Sequence, residues 1–192
     1  MAMPVLEPRL WTVKEIHALP DDGNRYECID GELFVSPAPV ARHQRALLTL
    51  AVALKNYAEA HGIGWLWIAP SDLTLGPRTV VQPDLRIHAA GPFATAEQRA
   101  ERCLLIAEVL SPSTAHLDRH QKRRLYLHEA TDRYWIVDLA SEIVEVWTAG
   151  EERPEIVHDI LTWHPHGASE PFTLALPAFF ADANAWEQFP FG

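Results

Sequence analysis

The sequence predicts an α/β fold with a curved mixed sheet and an N-terminal β-hairpin, and three features point to it. Asp30-Gly31 joins two short runs, residues 25–29 and 32–36, whose side chains alternate in character. That dipeptide is a strong signal for a two-residue turn because both central positions take positive φ. Between Ala41 and His61 the residues Leu47, Leu50, Leu54 and Tyr57 recur at helical spacing, and Gly62 then suits the left-handed position that ends a helix. The run from Cys103 to Leu110 is apolar except for Glu108, the pattern of a central strand covered on both faces.

The remaining elements follow in order. Ahead of the hairpin, residues 11–19 form a short amphipathic piece closed by Pro20 and the turn residues Asp21, Asp22, Gly23 and Asn24. In the hairpin register Tyr26, Cys28, Leu33 and Val35 share one face, which reads as core; Glu27, Ile29, Glu32 and Phe34 share the other, which carries two carboxylates. After the long helix come strand-like runs at 64–69, 73–75 and 80–88, interrupted by Pro70, Gly76-Pro77 and Pro83. Residues 89–102 read as a surface connection, partly helical around 95–102. Ser113 or Thr114 is placed to cap a helix reaching about Ala130, and strands at 134–138 and 143–148 flank a polar turn. The Pro-rich, aromatic end carries a short helix near 179–187.

With 192 residues, of which 48% are hydrophobic and 22% charged, the chain fits one domain, residues 1–192, able to bury a core unaided. The formal charge of −10 argues against coating nucleic acid non-specifically, since such binding needs Lys and Arg to replace counterions. One local run, His116 to Tyr126, carries Arg119, Lys122, Arg123 and Arg124 against Asp118, and reads either as a solvated helix face or as a phosphate-facing one. No run approaches the roughly 20 apolar residues of a membrane span, and the N-terminus lacks a signal pattern, so a cytoplasmic protein is expected. Cys28 and Cys103 sit singly in apolar runs and read as reduced, buried thiols.

Glu108 needs an explanation, because a carboxylate in a buried strand is destabilising unless paired, protonated or metal-bound. It could simply be solvated at the strand's end. Asp84, after Pro83 on the preceding strand-like run, is a second acid in a comparable place. Two carboxylates about 4 Å apart repel by about 4 kcal/mol at an effective dielectric near 20, so a fold that converges them usually supplies a cation. Oxygen-only ligation suits Mg²⁺ or Mn²⁺ rather than zinc.

The neighbours of these acids carry a family likeness. The segments YECIDGELFVSPAPVARH (Tyr26 to His43), QPDLRI (Gln82 to Ile87) and LLIAEVLSPST (Leu104 to Thr114), then Asp118, Lys122 and Tyr126, then YWIVD (Tyr134 to Asp138), resemble in order the bacterial Uma-two family, domain of unknown function 820. That family belongs to the PD-(D/E)XK restriction-endonuclease-like superfamily. The resemblance implies an α/β/α core whose mixed sheet presents Asp84 and Glu108 at one rim. It also implies a metal-dependent endonuclease that hydrolyses phosphodiester bonds in DNA with Mg²⁺ or Mn²⁺. Asp84, Glu108 and a strand carbonyl near Val109 would ligate the metal.

The superfamily pattern places a lysine two residues after the glutamate; Leu110 stands there, and the resemblance puts the role on Lys122, reaching back from the following helix. Without the family, Lys122 reads as the partner of Asp118 one turn away. Glu27 and Glu32 are both candidates for a third carboxylate, and the family's DGE segment favours Glu32. His43, at the start of the long helix, matches the family motif and could touch a phosphate or leaving group. By analogy with such folds a homodimer is expected. The competing reading is a non-catalytic module on the same fold, with a vestigial metal site, binding nucleic acid or protein; the acidic charge and Leu110 favour it. His116 and His120 lie one helical turn apart without a third zinc ligand and read as solvated. Tyr134, Trp135 and Trp147 read as core or dimer contacts rather than base-stacking platforms.

Overall fold

A computed structural model describes residues 9–89 and 102–185. The helical stretch expected around 95–102 therefore lies almost wholly outside the described residues, as does the end of the expected C-terminal helix. Helix α1 (Val13–Ile16) opens on a capping box, in which Thr12 Oγ1 accepts the Glu15 N–H and the Glu15 carboxylate accepts the Thr12 N–H. Strands β1 (Arg25–Ile29) and β2 (Glu32–Ser36) pair in the expected register, Tyr26 opposite Val35 and Cys28 opposite Leu33. Asp30 and Gly31 take φ of 52° and 90°, as the tight turn requires.

Burial does not follow the two hairpin faces as expected. Cys28 is sealed but Val35 is exposed, while Glu27 and Ile29 on the supposedly outer face are buried. The reason lies in sheet order: β1 is interior to a four-stranded sheet, between β2 and the strand of residues 79–81, and β2 is its edge.

Helix α2 (Ala41–His61) ends at Gly62, which has φ of 60°. Strands β3 (Gly64–Ile68), β4 (Leu73–Gly76), β5 (Thr79–Val81) and β6 (Leu85–Ala89) follow. The single strand expected over 80–88 is thus two, because Pro83 offers no N–H to a ladder and Gln82, Pro83 and Asp84 carry the chain from one sheet into another.

Strand β7 (Cys103–Val109) is central in a six-stranded sheet completed by β8 (Arg133–Asp138), β9 (Ile143–Thr148) and β10 (Glu155–Val157), in the order β10-β9-β8-β7-β6-β3. Only β7 and β8 run parallel in it, joined by the crossover helix α3, residues 115–130. Thr114 precedes α3 without a capping side chain; Ser111 Oγ instead accepts the Thr114 N–H at 3.3 Å. A small ribbon, β11 (Ile160–Trp163) with β12 (Phe172–Ala175), leads into α4 (Leu176–Asn184), which begins earlier than expected because Pro177 fits a first helical turn.

Helices lie on both faces of the large sheet. On one, Leu50 and Leu54 of α2 and Phe180 of α4 pack with Leu105, Trp135 and Val137 of the sheet. On the other, Tyr126 and Ala130 of α3 pack with Ile106, Tyr134 and Ile136, and the small sheet adds Ile29 and Val81. Among the described residues no helix is long and apolar enough to cross a membrane. Both cysteines are free and buried.

Candidate active site

The site is built on a helix with unusual winding. Asp118, Lys122, Tyr126 and Ala130 recur every fourth residue of α3, and all are buried. At about 3.6 residues per turn, each four-residue step overshoots by about 40°, so a regular α-helix would swing this stripe by about 120° from end to end. Helix α3 is α-helical only at Ala115–Leu117 and Arg123–Leu125. Over Asp118–Lys122 and Tyr126–Ala130 it winds wide, with π-type bonding such as Thr131 N–H to Tyr126 O at 2.8 Å. The mean turn approaches four residues, and the stripe stays against the sheet.

Glu108, near the end of β7, is gripped on both oxygens. Oε1 accepts from Lys122 Nζ at 3.0 Å and from the Tyr126 hydroxyl at 2.9 Å, while Oε2 accepts the Asp84 N–H at 3.1 Å. Asp84 sits in the break before β6. Its Oδ2 accepts the Val109 N–H at 3.0 Å and meets His43 Nε2 at 3.0 Å; its Oδ1 accepts from Arg25 at 3.0 Å. Each acid is therefore tied to the other's main chain or its next residue. Lys122 Nζ also stands 3.0 Å from Glu27 Oε2, an ion pair without hydrogen-bond alignment, and 3.6 Å from Asp118 Oδ1. Asp84 and Glu108 are 2% exposed, Glu27 and Lys122 1%.

Burial sets the electrostatics. For Glu108 desolvation is the largest influence; the Lys122 ammonium opposes it, but Asp84, Asp118 and Glu27 add to it, and the carboxyl is pushed well above its usual range. Asp118 is raised for the same reason, with Lys122 and a Thr114 hydrogen bond offsetting only part of the desolvation. Desolvation also leads at Asp84, yet the hydrogen bond and charge of His43, together with Arg25 and the Val109 N–H, overcome it and hold that carboxyl below the usual range. Lys122 is desolvated too, but Glu108, Glu27 and Asp118 keep its ammonium firmly protonated. Four buried carboxyl groups thus face two fixed cations, Arg25 and Lys122, and the cluster is short of positive charge.

Among the described residues, no three His, Cys, Asp or Glu side chains are grouped to hold a metal ion. The Lys122 ammonium occupies the point where Glu27, Glu108 and Asp118 converge, and Asp84 is turned toward Arg25 and His43. The donor chemistry nevertheless fits a hard divalent ion. It is all carboxylate oxygen, it is deficient in positive charge, and Glu27 Oε2 and Asp118 Oδ1 are buried without a hydrogen-bond partner.

Of the residues singled out from the sequence, Asp84, Glu108, Lys122 and His43 come together. Val109 joins through its N–H on Asp84. Glu32 does not: it is exposed, opposite Ile29 at the turn end of the edge strand, and Glu27 takes the place beside Lys122. Both acids project from the same hairpin face, but only Glu27 lies deep enough to meet α3. Arg25 and Tyr126 were also missed; the regular spacing of Asp118, Lys122 and Tyr126 was the available signal for Tyr126.

The basic run of α3 divides three ways. Lys122 enters the cluster and Arg124 faces solvent. Arg119 pins the helix to the sheet, donating to Glu145 at 2.7 Å and Asp138 at 2.8 Å, while the Arg123 guanidinium lies 4.2 Å over the Trp147 ring. His116 and His120 are exposed, with ring centroids 4.4 Å apart. Tyr134 and Trp135 are fully buried core residues.

A mixed sheet between helices, with two acids at the start of β6 and the end of β7 beside a helix-borne lysine, defines the restriction-endonuclease-like class of fold. The chain belongs to the Uma2 family, whose description is "Putative restriction endonuclease" and whose family model matches residues 13–179. It is similar to the crystal structure of "a putative nuclease belonging to DUF820" from Anabaena variabilis, with a TM-score of 0.75 and 20% identity over 90% of this chain and 99% of that one. At that identity the structural likeness speaks for the fold. Among curated proteins no match was found. Family and fold together support a nuclease-like role.

Proposed function

We propose that this protein is a metal-dependent endonuclease that hydrolyses phosphodiester bonds in DNA. The observation that carries the reading is the buried cluster of Glu27, Glu108 and Asp118 around Lys122, with Asp84 beside it on Arg25 and His43, which together hold more carboxyl groups than cations. Mg²⁺ or Mn²⁺ held by Asp84 and Glu108, with the Val109 carbonyl, would polarise a phosphoryl oxygen and acidify a bound water. The chain's own residues prepare that site. Arg25 and His43 keep Asp84 ionised and oriented, and Tyr126 and Lys122 fix Glu108. The Lys122 ammonium, steadied by Glu27, is the group placed to stabilise negative charge developing on the phosphorus oxygens. The reading carries with it DNA as partner and, by analogy with such folds, a homodimer that sets two sites against two strands.

Cleavage of mixed single- and double-stranded DNA with Mg²⁺ or Mn²⁺ tests it. Asp84→Ala and Lys122→Ala are expected to lower the rate by at least about 100-fold, the scale of losing one preorganised charge-stabilising group. Activity untouched by Asp84→Ala would remove the mechanism. Calorimetric titration with Mn²⁺ should show proton release and an affinity that rises with pH, because the ion displaces the proton that Glu108 retains.

One observation favours a second reading, a non-catalytic module: the acids are already paired and almost wholly buried. Absence of both Mn²⁺ binding and cleavage would decide for it.

A further inference from the structure

We propose that the groove between α3 and the hairpin turn is a docking site for a segment of another protein that carries Lys or Arg beside apolar side chains. The groove is separate from the buried acid cluster, and the proposal holds whether or not that cluster cleaves DNA. Three parts of the fold make its walls: α3 from Gln121 to Glu129, the hairpin turn with Leu75 and Thr79, and the turn at residues 150–152 between β9 and β10. Lys122 and Tyr126 are turned inward and buried, while the residues on either side of them, Gln121, Arg123, Leu125 and Leu127, line the groove. Its volume is about 1160 Å³, above the roughly 300–1,000 Å³ of sites that enclose a small molecule, which suits an extended segment of chain.

The floor is apolar. Ile29 and Trp147 are buried, and Leu75, Leu125 and Leu127 are half-buried. The rim is acidic: Asp30, Glu32, Glu129, Glu151 and Glu152 line it from three separate segments, and all five are exposed. Among the described residues only Glu129 of these has a side-chain partner, the His128 ring at 2.8 Å. Against them the groove carries Arg123 and Arg124, and the Arg123 guanidinium is laid 4.2 Å over the Trp147 ring.

Charge selects the occupant. An apolar centre within a polar rim is the anatomy of a protein interface. A rim with a surplus of one sign favours a partner of the other sign and repels its own. Here the surplus is carboxylate, so phosphate groups are turned away and ammonium or guanidinium groups are drawn to the edges. Apolar side chains between those cations then reach the floor of Ile29, Leu125 and Trp147.

The test is binding of a labelled peptide of roughly eight residues, leucines between Lys-Arg pairs, to the full chain, read by anisotropy at about 50 and 200 mM salt. Two comparison peptides replace the leucines by serine or the basic residues by glutamate. The expected result is affinity at least about tenfold above either comparison, weakening with salt, and slower amide exchange at residues 29–32, 123–129 and 150–152 when the peptide is bound. Glu151→Lys with Glu152→Lys should weaken binding by at least about tenfold. Glu59→Lys with Glu170→Lys, the same change of net charge at exposed positions outside the groove, should weaken it by less than about twofold. Equal losses in the two double variants would overturn the site, because the peptide would then be answering only the charge of the whole chain. Serine and leucine peptides of equal affinity, protection confined to other segments, or no binding at all would do the same. A dimer that Glu151→Lys with Glu152→Lys converts to a monomer would give the groove to a second copy of this chain, and an oligonucleotide that slows exchange at these three segments would give it to nucleic acid; either result also overturns the proposal.

Discussion

Lys122 keeps its charge in the interior because Glu27, Glu108 and Asp118 surround it. Breaking a buried ion cluster by removing one partner costs about 3–5 kcal/mol, so Lys122→Met is expected to lower the free energy of urea unfolding by about that much. Adding Glu108→Gln should recover part of the loss, and strict additivity would show that the two side chains are not coupled. Glu108 also makes a prediction about pH. Its folded carboxyl retains a proton at pH values where the unfolded chain has released it. Stability from this group is full below the ordinary carboxyl value of 4.5 and is lost as pH rises through the elevated folded value. One proton corresponds to at most about 1.4 kcal/mol per pH unit. Asp118 acts in the same sense, while Asp84 acts in the opposite one and matters only below its ordinary 3.8. Metal-free protein should therefore lose urea resistance as pH rises above the ordinary carboxyl value of 4.5, and Glu108→Gln should flatten that profile. At this scale the sequence showed an acid out of place at Glu108. It did not separate Glu27 from Glu32, because alternation assigns a face and not a depth, and depth depends on where α3 crosses the hairpin.

Helix α3 shows what periodicity reveals and what it hides. Its extent and its crossover place are written in the apolar and basic spacing, but a four-residue stripe reads as an ordinary ion pair between Asp118 and Lys122 unless the wide winding is known. Wide turns are poorer in hydrogen-bond geometry than α-helical ones, so amide exchange over residues 118–122 is expected to run faster than in the middle of α2, measured by native-state hydrogen exchange. Arg119 anchors this helix through Asp138 and Glu145. Arg119→Ala should destabilise by about 1–3 kcal/mol, the range for hydrogen bonds to partly buried charged groups, and reduce Mn²⁺ affinity by releasing Lys122 from its register. Strand β3 depends on a glycine in the same way. A methyl group at Gly64 would collide with the main chain of β6, so Gly64→Ala is expected to cost about 3 kcal/mol or more in a thermal or urea melt.

For the whole molecule, the fold class was legible because the turn, the long helix and the buried central strand each announce themselves locally, and their order restricts the topology. What stayed hidden were relations between distant segments. The split at Pro83 looks in sequence like one strand with a kink, and the exposure of Trp65 and Trp67 depends on β3 lying at an edge. If residues 1–192 form one domain, far- and near-ultraviolet dichroism should melt together in a single transition. Both thiols are buried, and burial pushes the Cys103 thiol up to about 12, so a thiol reagent should report that same transition and little before it. The stretch at residues 82–84 has a mechanical consequence. It is a ligament between the two larger sheets, and Arg25 on one sheet grips Asp84 at the threshold of the other. Anything that takes hold of that carboxylate competes with the grip, so occupancy of the centre and the stiffness between the sheets should change together.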